Sequence, residues 1–357
     1  MISIYSQEFE NIKSIVESWG EPEYRARQIW DGLYKKYWNN PEQFSTLSKH
    51  IRKKLSQRFI FNSLTAVINQ NSKNNLTNKT LFQLNSGDAI ETVLMLSEES
   101  KGKRPLVTIC LSTQVGCGIG CGFCATGQMG FRRNLDSSEI IEQFLYFSRR
   151  LYHENRHITN IVFMGMGEPF LNYNAVNRSI DIMKSPDGIN LGSRRFTIST
   201  IGIVPGILQL AKEKPQVNLA VSLHSADDEL RNNLVPINKK YPLDILIKTC
   251  LKYVEITNRR ITFEYVLIQN VNDSPTQAKS LAHRLQPFLQ NGSSLCHVNL
   301  IPLNPTTDYR HGPSMLTRAN EFQKLLNTNG IPCTIRKRRG IDIQAGCGQL
   351  TSAVKLG

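Results

Sequence analysis

Cys117-Gly-Ile-Gly-Cys121-Gly-Phe-Cys124 sets three thiols within eight consecutive residues, with Gly116, Gly118, Gly120 and Gly122 threaded among them. Soft sulfur at this density suits zinc, copper(I) or an iron–sulfur cluster. A structural zinc site normally closes with a fourth Cys or His at comparable spacing, and none stands nearby. Three ligands from one loop leave one iron of a cubane open. The glycines let the loop wrap a bulky group, because glycine adopts backbone conformations that a Cβ disfavours.

The chain on either side of this loop reads as alternating strands and helices. Leu106 to Leu111 is a short apolar run of the kind that fills a buried parallel strand. The signal returns at Asn160 to Gly165, Phe196 to Thr200, Val217 to Leu223, Ile261 to Ile268 and His297 to Ile301. Ser137 to Tyr152, Leu243 to Val254 and Pro275 to Leu289 are amphipathic and long enough for right-handed crossovers. The pattern predicts an α/β fold, a partial (β/α)6 barrel, with its active residues at the carboxyl ends of strands and in the loops that follow.

Upstream, Ile12, Ile15, Val16, Trp19, Ile29, Trp30, Leu33, Tyr34 and Trp38 recur at helical spacing, broken at Gly20-Glu21-Pro22 and Asn39-Asn40-Pro41. They predict a small helical accessory domain over residues 1–61. Thr80 to Leu84 and Ile90 to Leu96 read as short strands of a hairpin-like β connector over residues 62–102. The barrel is expected over 103–342, after a turn from Lys101 to Pro105, and a C-terminal segment over 343–357.

Forty per cent hydrophobic and 20% charged residues exclude a disordered or fibrous chain. No apolar run approaches the ~20 residues of a spanning helix, and Met1 to Glu10 lacks a secretory pattern. A cytoplasmic protein without membrane contact is expected, and its eight cysteines read as ligands or catalytic thiols rather than a disulfide framework. The net charge of +14 draws polyanions, and nucleic acid is the natural partner. Arg and Lys of the helical unit, with Tyr24, Trp30, Tyr34 and Tyr37, offer it charge and stacking surfaces.

Two further constellations stand out. Gly165-Met-Gly-Glu168-Pro169 ends a strand with glycines that admit a ligand close to the backbone and a carboxylate that can meet an ammonium. Cys110 precedes the thiol loop by seven residues, while Cys347 sits in the glycine-flanked stretch Gly340 to Leu350. Such a thiol is poor core material and suits an exposed, reactive cysteine, its pKa lowered by Lys337, Arg338 and Arg339. Cys250, Cys296 and Cys333 lie in apolar patterns and read as small buried hydrophobes.

CxxxCxxC after a first barrel strand, with an aromatic before the last cysteine, resembles the radical S-adenosylmethionine superfamily. The resemblance implies a 4Fe–4S cluster on Cys117, Cys121 and Cys124, and S-adenosylmethionine held around Gly167, Glu168, Ser199, Ser222, Leu223, His224 and Asn304. Glu23-Tyr-Arg-Ala-Arg-Gln-Ile-Trp30, Ile90-Glu-Thr-Val93, Gln114 to Cys124, Arg133-Asn-Leu135, the Gly165 to Pro169 loop and the ending at Cys347-Gly-Gln-Leu350 occur in order. They narrow the resemblance, over nearly the whole chain, to radical methyltransferases that act on an adenosine carbon in RNA. The chain departs from that pattern with Gly346 where the family usually shows Ala, and with a longer turn from Ser97 to Pro105.

For such an enzyme the resemblance implies methylation of adenosine C2 in 23S ribosomal RNA, with transfer RNA as a further candidate and two S-adenosylmethionine molecules per turnover. Cys347 is implied as the methyl carrier, Glu91 as the base for the ring proton, and Cys110 as the thiol that releases the product through a transient disulfide. An electron donor such as flavodoxin or ferredoxin and a monomeric state go with it. Methylation at C8 by the same chemistry is the alternative. A non-catalytic zinc RNA-binding module and a radical enzyme acting on a small molecule or peptide are competing classes.

Overall fold

The computed structural model describes residues 1–98, 105–290, 293–306 and 308–351. All but Pro105 of the turn expected from Lys101 to Pro105 lies outside them.

Three helices open the chain: α1 (Phe9–Ser18), α2 (Tyr24–Tyr34) and α3 (Lys49–Arg58). Ser48 starts α3 by accepting the Ile51 N–H at 3.3 Å, which satisfies one of the first-turn donors. The inward faces carry Ile12, Val16, Ile29, Trp30, Leu33, Tyr34, Ile51 and Leu55. This packing removes most of the expected stacking surface. Trp30 and Tyr34 are buried core, with ring centroids 4.5 Å apart, and Tyr37 is half-buried against Tyr152. Of the four aromatics only Tyr24 is exposed, and the Arg25 guanidinium lies 4.8 Å from its ring centroid.

The main sheet follows. Its strands are β1 (Leu64–Asn71), β2 (Thr77–Leu84), β3 (Ala89–Leu96), β4 (Val107–Cys110), β5 (Asn160–Phe163), β6 (Phe196–Thr200), β7 (Asn218–Ser222), β8 (Ile261–Leu267), β9 (Cys296–Pro302) and β10 (Cys333–Ile335). They lie side by side in chain order. Pairs from β1 to β4 are antiparallel, and those from β4 to β10 are parallel. The crossovers include α4 (Ser137–His153), α5 (Tyr173–Lys184), α6 (Val204–Glu213), α7 (Asp228–Leu234), α8 (Leu243–Thr257), α9 (Pro275–Leu285) and α10 (Leu316–Thr328). Asp136 and Glu139 form a reciprocal capping box at the start of α4, each side chain accepting the other's N–H at 2.9 Å.

This is the α/β partial barrel with an N-terminal accessory unit that the strand pattern predicts, with two differences. The connector is not a separate hairpin: β3 pairs with β4 through Val93↔Cys110 and Leu96↔Val107, so it extends the barrel sheet. Beyond the six expected parallel strands, β10 adds a seventh.

Candidate active site

Parallel pairing gathers the carboxyl ends of β4 to β9 along one rim. After β4, Gln114–Gly116 pairs antiparallel with Phe131–Asn134, and the thiol loop projects between them. Gly116 has φ +73°, and a Cβ there would sit 1.9 Å from the Gly130 carbonyl, so only glycine fits this neck. Cys121 is buried, and Cys117 and Cys124 are half-buried. Burial pushes the Cys117 thiol up to about 12 and Cys121 well above the ordinary range, and Cys124 adds to both shifts. Among the described residues no three His, Cys, Asp or Glu side chains converge on a position for a metal ion. What links these thiols is mutual electrostatic coupling. Phe123 turns edge-on to His224 at 5.1 Å, and a cavity of about 530 Å³ opens beside it, lined in part by Gly122, Leu230, Leu234 and Tyr309.

The loop after β5 carries Gly167 and Glu168. Gly167, at φ +98°, passes so close to Gln114 that a Cβ would lie 2.5 Å from that side chain. Glu168 accepts the N–H groups of Phe170 at 3.1 Å and Ile201 at 2.8 Å. Burial lifts its carboxyl to about 7, and among the described residues it has no cationic side-chain partner. Ser199 and Ser222 lie half-buried at the ends of β6 and β7. Leu223 is fully buried, its N–H on the Glu264 carbonyl. His224 has φ +60°, and its Nδ1 accepts the Val266 N–H at 3.1 Å, so the neutral ring carries its proton on Nε2. Burial, with Arg231 adding to it, lowers its pKa to about 3. Asn304, after β9, donates to the Cys347 carbonyl at 3.1 Å, and its buried Oδ1 has no hydrogen-bond partner among the described residues.

The C-terminal segment folds back over the thiol loop and the connector. Ala125 N–H donates to the Gly348 carbonyl at 2.8 Å, Thr126 Oγ1 to that of Leu350 at 2.7 Å, and Gln349 to that of Pro305 at 2.9 Å. Cys347 is solvent-accessible yet ringed by protein, and this enclosure raises its thiol pKa; Glu264 adds to the rise and Arg336 opposes it. The expected lowering by Lys337, Arg338 and Arg339 does not occur. Arg339 is spent on the Leu96 carbonyl, Lys337 faces Glu98, and enclosure outweighs the cation that does act on the thiol, Arg336. Cys110 ends β4, buried, and is raised by that burial and by the charge of Cys347. All eight cysteines are free, so the Cys110–Cys347 disulfide is not formed here. Cys250, Cys296 and Cys333 are buried.

Glu91 lies within the sheet on β3, buried. Lys79 Nζ stands 2.8 Å from its Oε1, and the Thr351 N–H donates to its Oε2 at 2.8 Å. Sequence reasoning missed Lys79, which reads as a surface residue in Asn78-Lys79-Thr80; the β2–β3 register that sets it two residues from the cross-strand partner of Glu91 is not encoded in any local pattern. It also missed Arg231 of α7, whose buried guanidinium donates to the carbonyls of Ile201, Ser222 and Leu223 and so ties the ends of β6 and β7 together.

Comparison with known proteins accords with this geometry. The model of the Radical SAM superfamily matches residues 111–278, and that of the ribosomal RNA large subunit methyltransferase N-terminal domain matches residues 3–61. A probable dual-specificity RNA methyltransferase RlmN of Chloroflexus aurantiacus is 42% identical, covering 97% of this chain and 92% of the relative. One from Dictyoglomus turgidum is 45% identical over 98% and 97%. The chain belongs to the RlmN family of radical S-adenosylmethionine RNA methyltransferases. A crystal structure of a radical SAM methyltransferase from Sphaerobacter thermophilus superposes with a TM-score of 0.92 at 44% identity, covering 99% of this chain and 100% of that one.

RlmN-type enzymes, as radical SAM proteins, carry a 4Fe–4S cluster and use S-adenosylmethionine. Both fit the residues present. Cys121, buried and beside the charges of Cys124 and Cys117, holds its proton unless a cation offsets the charge, which a cluster would do. A buried carboxylate without a cationic partner, Glu168, suits the ammonium of S-adenosylmethionine. Membership in the RlmN family also sets aside a non-catalytic zinc module. Among the described residues no helix is long and apolar enough to cross a membrane.

Proposed function

We propose that this enzyme methylates carbon 2 of an adenosine in 23S ribosomal RNA, with transfer RNA as a second substrate, through a methyl group carried on Cys347. The observation that carries the reading is the setting of Cys347, held between the thiol loop and Asn304 in a segment fastened to Glu91, with Cys110 as an electrostatic neighbour. Residues as far apart in sequence as Glu91 and Thr351 meet there.

In this reading Cys117, Cys121 and Cys124 hold the cluster, while Gly167, Glu168, Ser199, Ser222, Leu223, His224 and Asn304 surround S-adenosylmethionine. Bound together, the two supply a 5′-deoxyadenosyl radical able to take a hydrogen atom from an unactivated methyl group. Adenine C2 is not nucleophilic and cannot displace a methyl from a sulfonium, so the protein must carry the carbon itself. The Cys347 thiolate takes the methyl from a first S-adenosylmethionine by displacement. Once a hydrogen atom has left that methyl, the carbon on Cys347 bonds to C2, Glu91 accepts the ring proton, and the one unpaired electron left on the ring must pass to a one-electron acceptor, a role the oxidised cluster would fill. Cys110 then attacks the Cys347 sulfur: a sulfur–sulfur bond forms, the sulfur–carbon bond breaks, and the freed carbon takes up a proton. Thiol–disulfide exchange restores both cysteines.

The test is nucleoside mass spectrometry after anaerobic reaction of the cluster-loaded enzyme with unmodified ribosomal and transfer RNA, S-adenosylmethionine and reductant. The expected product is 2-methyladenosine. 8-Methyladenosine would overturn the C2 assignment, and turnover by Cys347→Ala would overturn the carrier.

A further inference from the structure

We infer that Lys79 is a positioning residue that couples the charge state of Glu91 to the seating of the Cys347 segment. The inference rests on the proposed role of Glu91 as base. Lys79 of β2 and Glu91 of β3 are diagonal neighbours on one face of an antiparallel pair, since Leu81 is the direct partner of Glu91. Both side chains are 7% exposed. The ammonium has two partners, Glu91 Oε1 at 2.8 Å and the Gln344 carbonyl at 3.3 Å, and Glu91 Oε2 receives the Thr351 N–H. Gln344 and Thr351 bracket Cys347. One buried ion pair therefore grips the cysteine-bearing segment at both ends.

The neighbourhood adds no competing charge among the described residues. Among the described residues Lys79 is the charged side chain that acts on Glu91; the other contacts are backbone from Thr351, the Met166 sulfur beneath the Glu91 N–H, and the Ser112 hydroxyl on the Glu91 carbonyl. Burial raises the carboxyl and Lys79 opposes that rise. When Glu91 accepts a proton it becomes neutral, while the bond it abstracts from leaves its electron pair on the ring. The ammonium then faces a neutral acid in a dry site, its attraction to Oε1 falls, and Oε2 becomes a weaker acceptor for Thr351. Proton uptake thus releases the ammonium from its carboxylate anchor and weakens the Thr351 contact at the stage when Cys347 must turn from the RNA towards Cys110.

Lys79→Met, Lys79→Arg and Glu91→Gln test this in the full-length enzyme. In the unloaded protein, amide hydrogen exchange over residues 344–351 is expected to speed up in Lys79→Met and Glu91→Gln and to stay near wild type in Lys79→Arg. In the loaded enzyme, Lys79→Met is expected to cleave S-adenosylmethionine at close to the wild-type rate while RNA methylation falls roughly tenfold or more, short of the loss of about 10²–10⁴-fold that removing a general base brings. The acid limb of its methylation pH profile is expected to move to higher pH, because the cation that favours the carboxylate is gone, and Lys79→Arg to return it. An unchanged profile and exchange rate in Lys79→Met would overturn the inference, as would loss of cofactor cleavage together with methylation, which marks a purely structural residue. Wild-type methylation by Glu91→Gln would instead overturn Glu91 as base.

Discussion

The amide of Asn304 spans 3.1 Å to the carbonyl of Cys347, and this contact depends on the absence of a side chain at the residue before the cysteine. A Cβ at Gly346 would stand 2.5 Å from Asn304 Nδ2 and 2.8 Å from Gln349 Oε1. Both obstacles are ends of side chains and can swing aside, but each is engaged: Asn304 with Cys347, and Gln349 with the Gly346 N–H and the Pro305 carbonyl. The glycine that stands in place of the family's usual alanine thus sets how tightly this segment is pinned. Gly346→Ala is expected to fold, to lose about 1 kcal/mol for each bond displaced, and to methylate RNA several-fold more slowly. Thermal denaturation and single-turnover methylation measure the two effects separately, and an unaltered rate would show that the pin is dispensable.

His224 predicts an acid limit to stability. Its folded pKa is about 3 against an ordinary 6.5, lowered by burial first and Arg231 second. The unfolded chain therefore binds a proton that the folded chain refuses between those values, and stability falls as pH drops below about 6.5. The slope from this residue approaches about 1.4 kcal/mol per pH unit. Urea unfolding at pH 6.5 and 5.0 should show the loss, and His224→Asn, whose Oδ1 keeps an acceptor for Val266 in place of Nδ1, should flatten it. An imidazole that titrates near 6.5 by NMR would contradict the assignment.

Arg231 makes a stability prediction of another kind. Its guanidinium also donates to Asn238 Oδ1 at 2.6 Å, in addition to the three strand-end carbonyls, and burial lowers its pKa only to about 10, so it is charged at neutral pH. Arg231→Met fills the space but strands several buried acceptors, each costing about 1–3 kcal/mol. The expected result is a fall in melting temperature of several degrees or more, accompanied by weakened S-adenosylmethionine binding as Ser222 and Leu223 lose their anchor. Equilibrium dialysis and thermal denaturation read the two losses. A variant that melts like wild type would mean that these carbonyls find other donors.

The limits of sequence reading follow from what each signal depends on. The parallel strands were legible because a strand covered on both faces is a continuous apolar run, as in Ile261 to Ile268. β10 was not, since it is only three residues long and runs straight into Arg336 to Arg339. The union of connector and barrel rests on Val93 facing Cys110, a non-local register that no local pattern encodes. Lys79 and Arg231 look like solvent-facing charges in polar stretches, and only tertiary structure brings them their buried partners. Trp30 and Tyr34 fail in the opposite sense: aromatic rings at helical spacing beside arginines resemble a stacking surface, yet apolar area is better satisfied inside. The exposure of Cys347 was legible because its glycine flanks are poor core material.

Cys110 offers the sharpest separation of steps. In the proposed sequence it acts only after the carbon on Cys347 has bonded to the ring, so Cys110→Ser should still methylate Cys347, cleave S-adenosylmethionine and join to RNA, but stall there. A covalent protein–RNA species is expected to accumulate on denaturing gels, its mass locating the link at Cys347. Cys347→Ala should form none, and the double variant should behave like Cys347→Ala. Burial holds the Cys110 thiol above its ordinary range, and in the joined species, where Cys347 is an uncharged thioether, burial remains the cause. Its thiolate is therefore scarce at neutral pH, and release of RNA from the joined species should quicken as pH rises. A Cys110→Ser enzyme that turns over freely would place the release step on another group, and one that never joins to RNA would mean that Cys110 acts earlier than the proposed sequence requires.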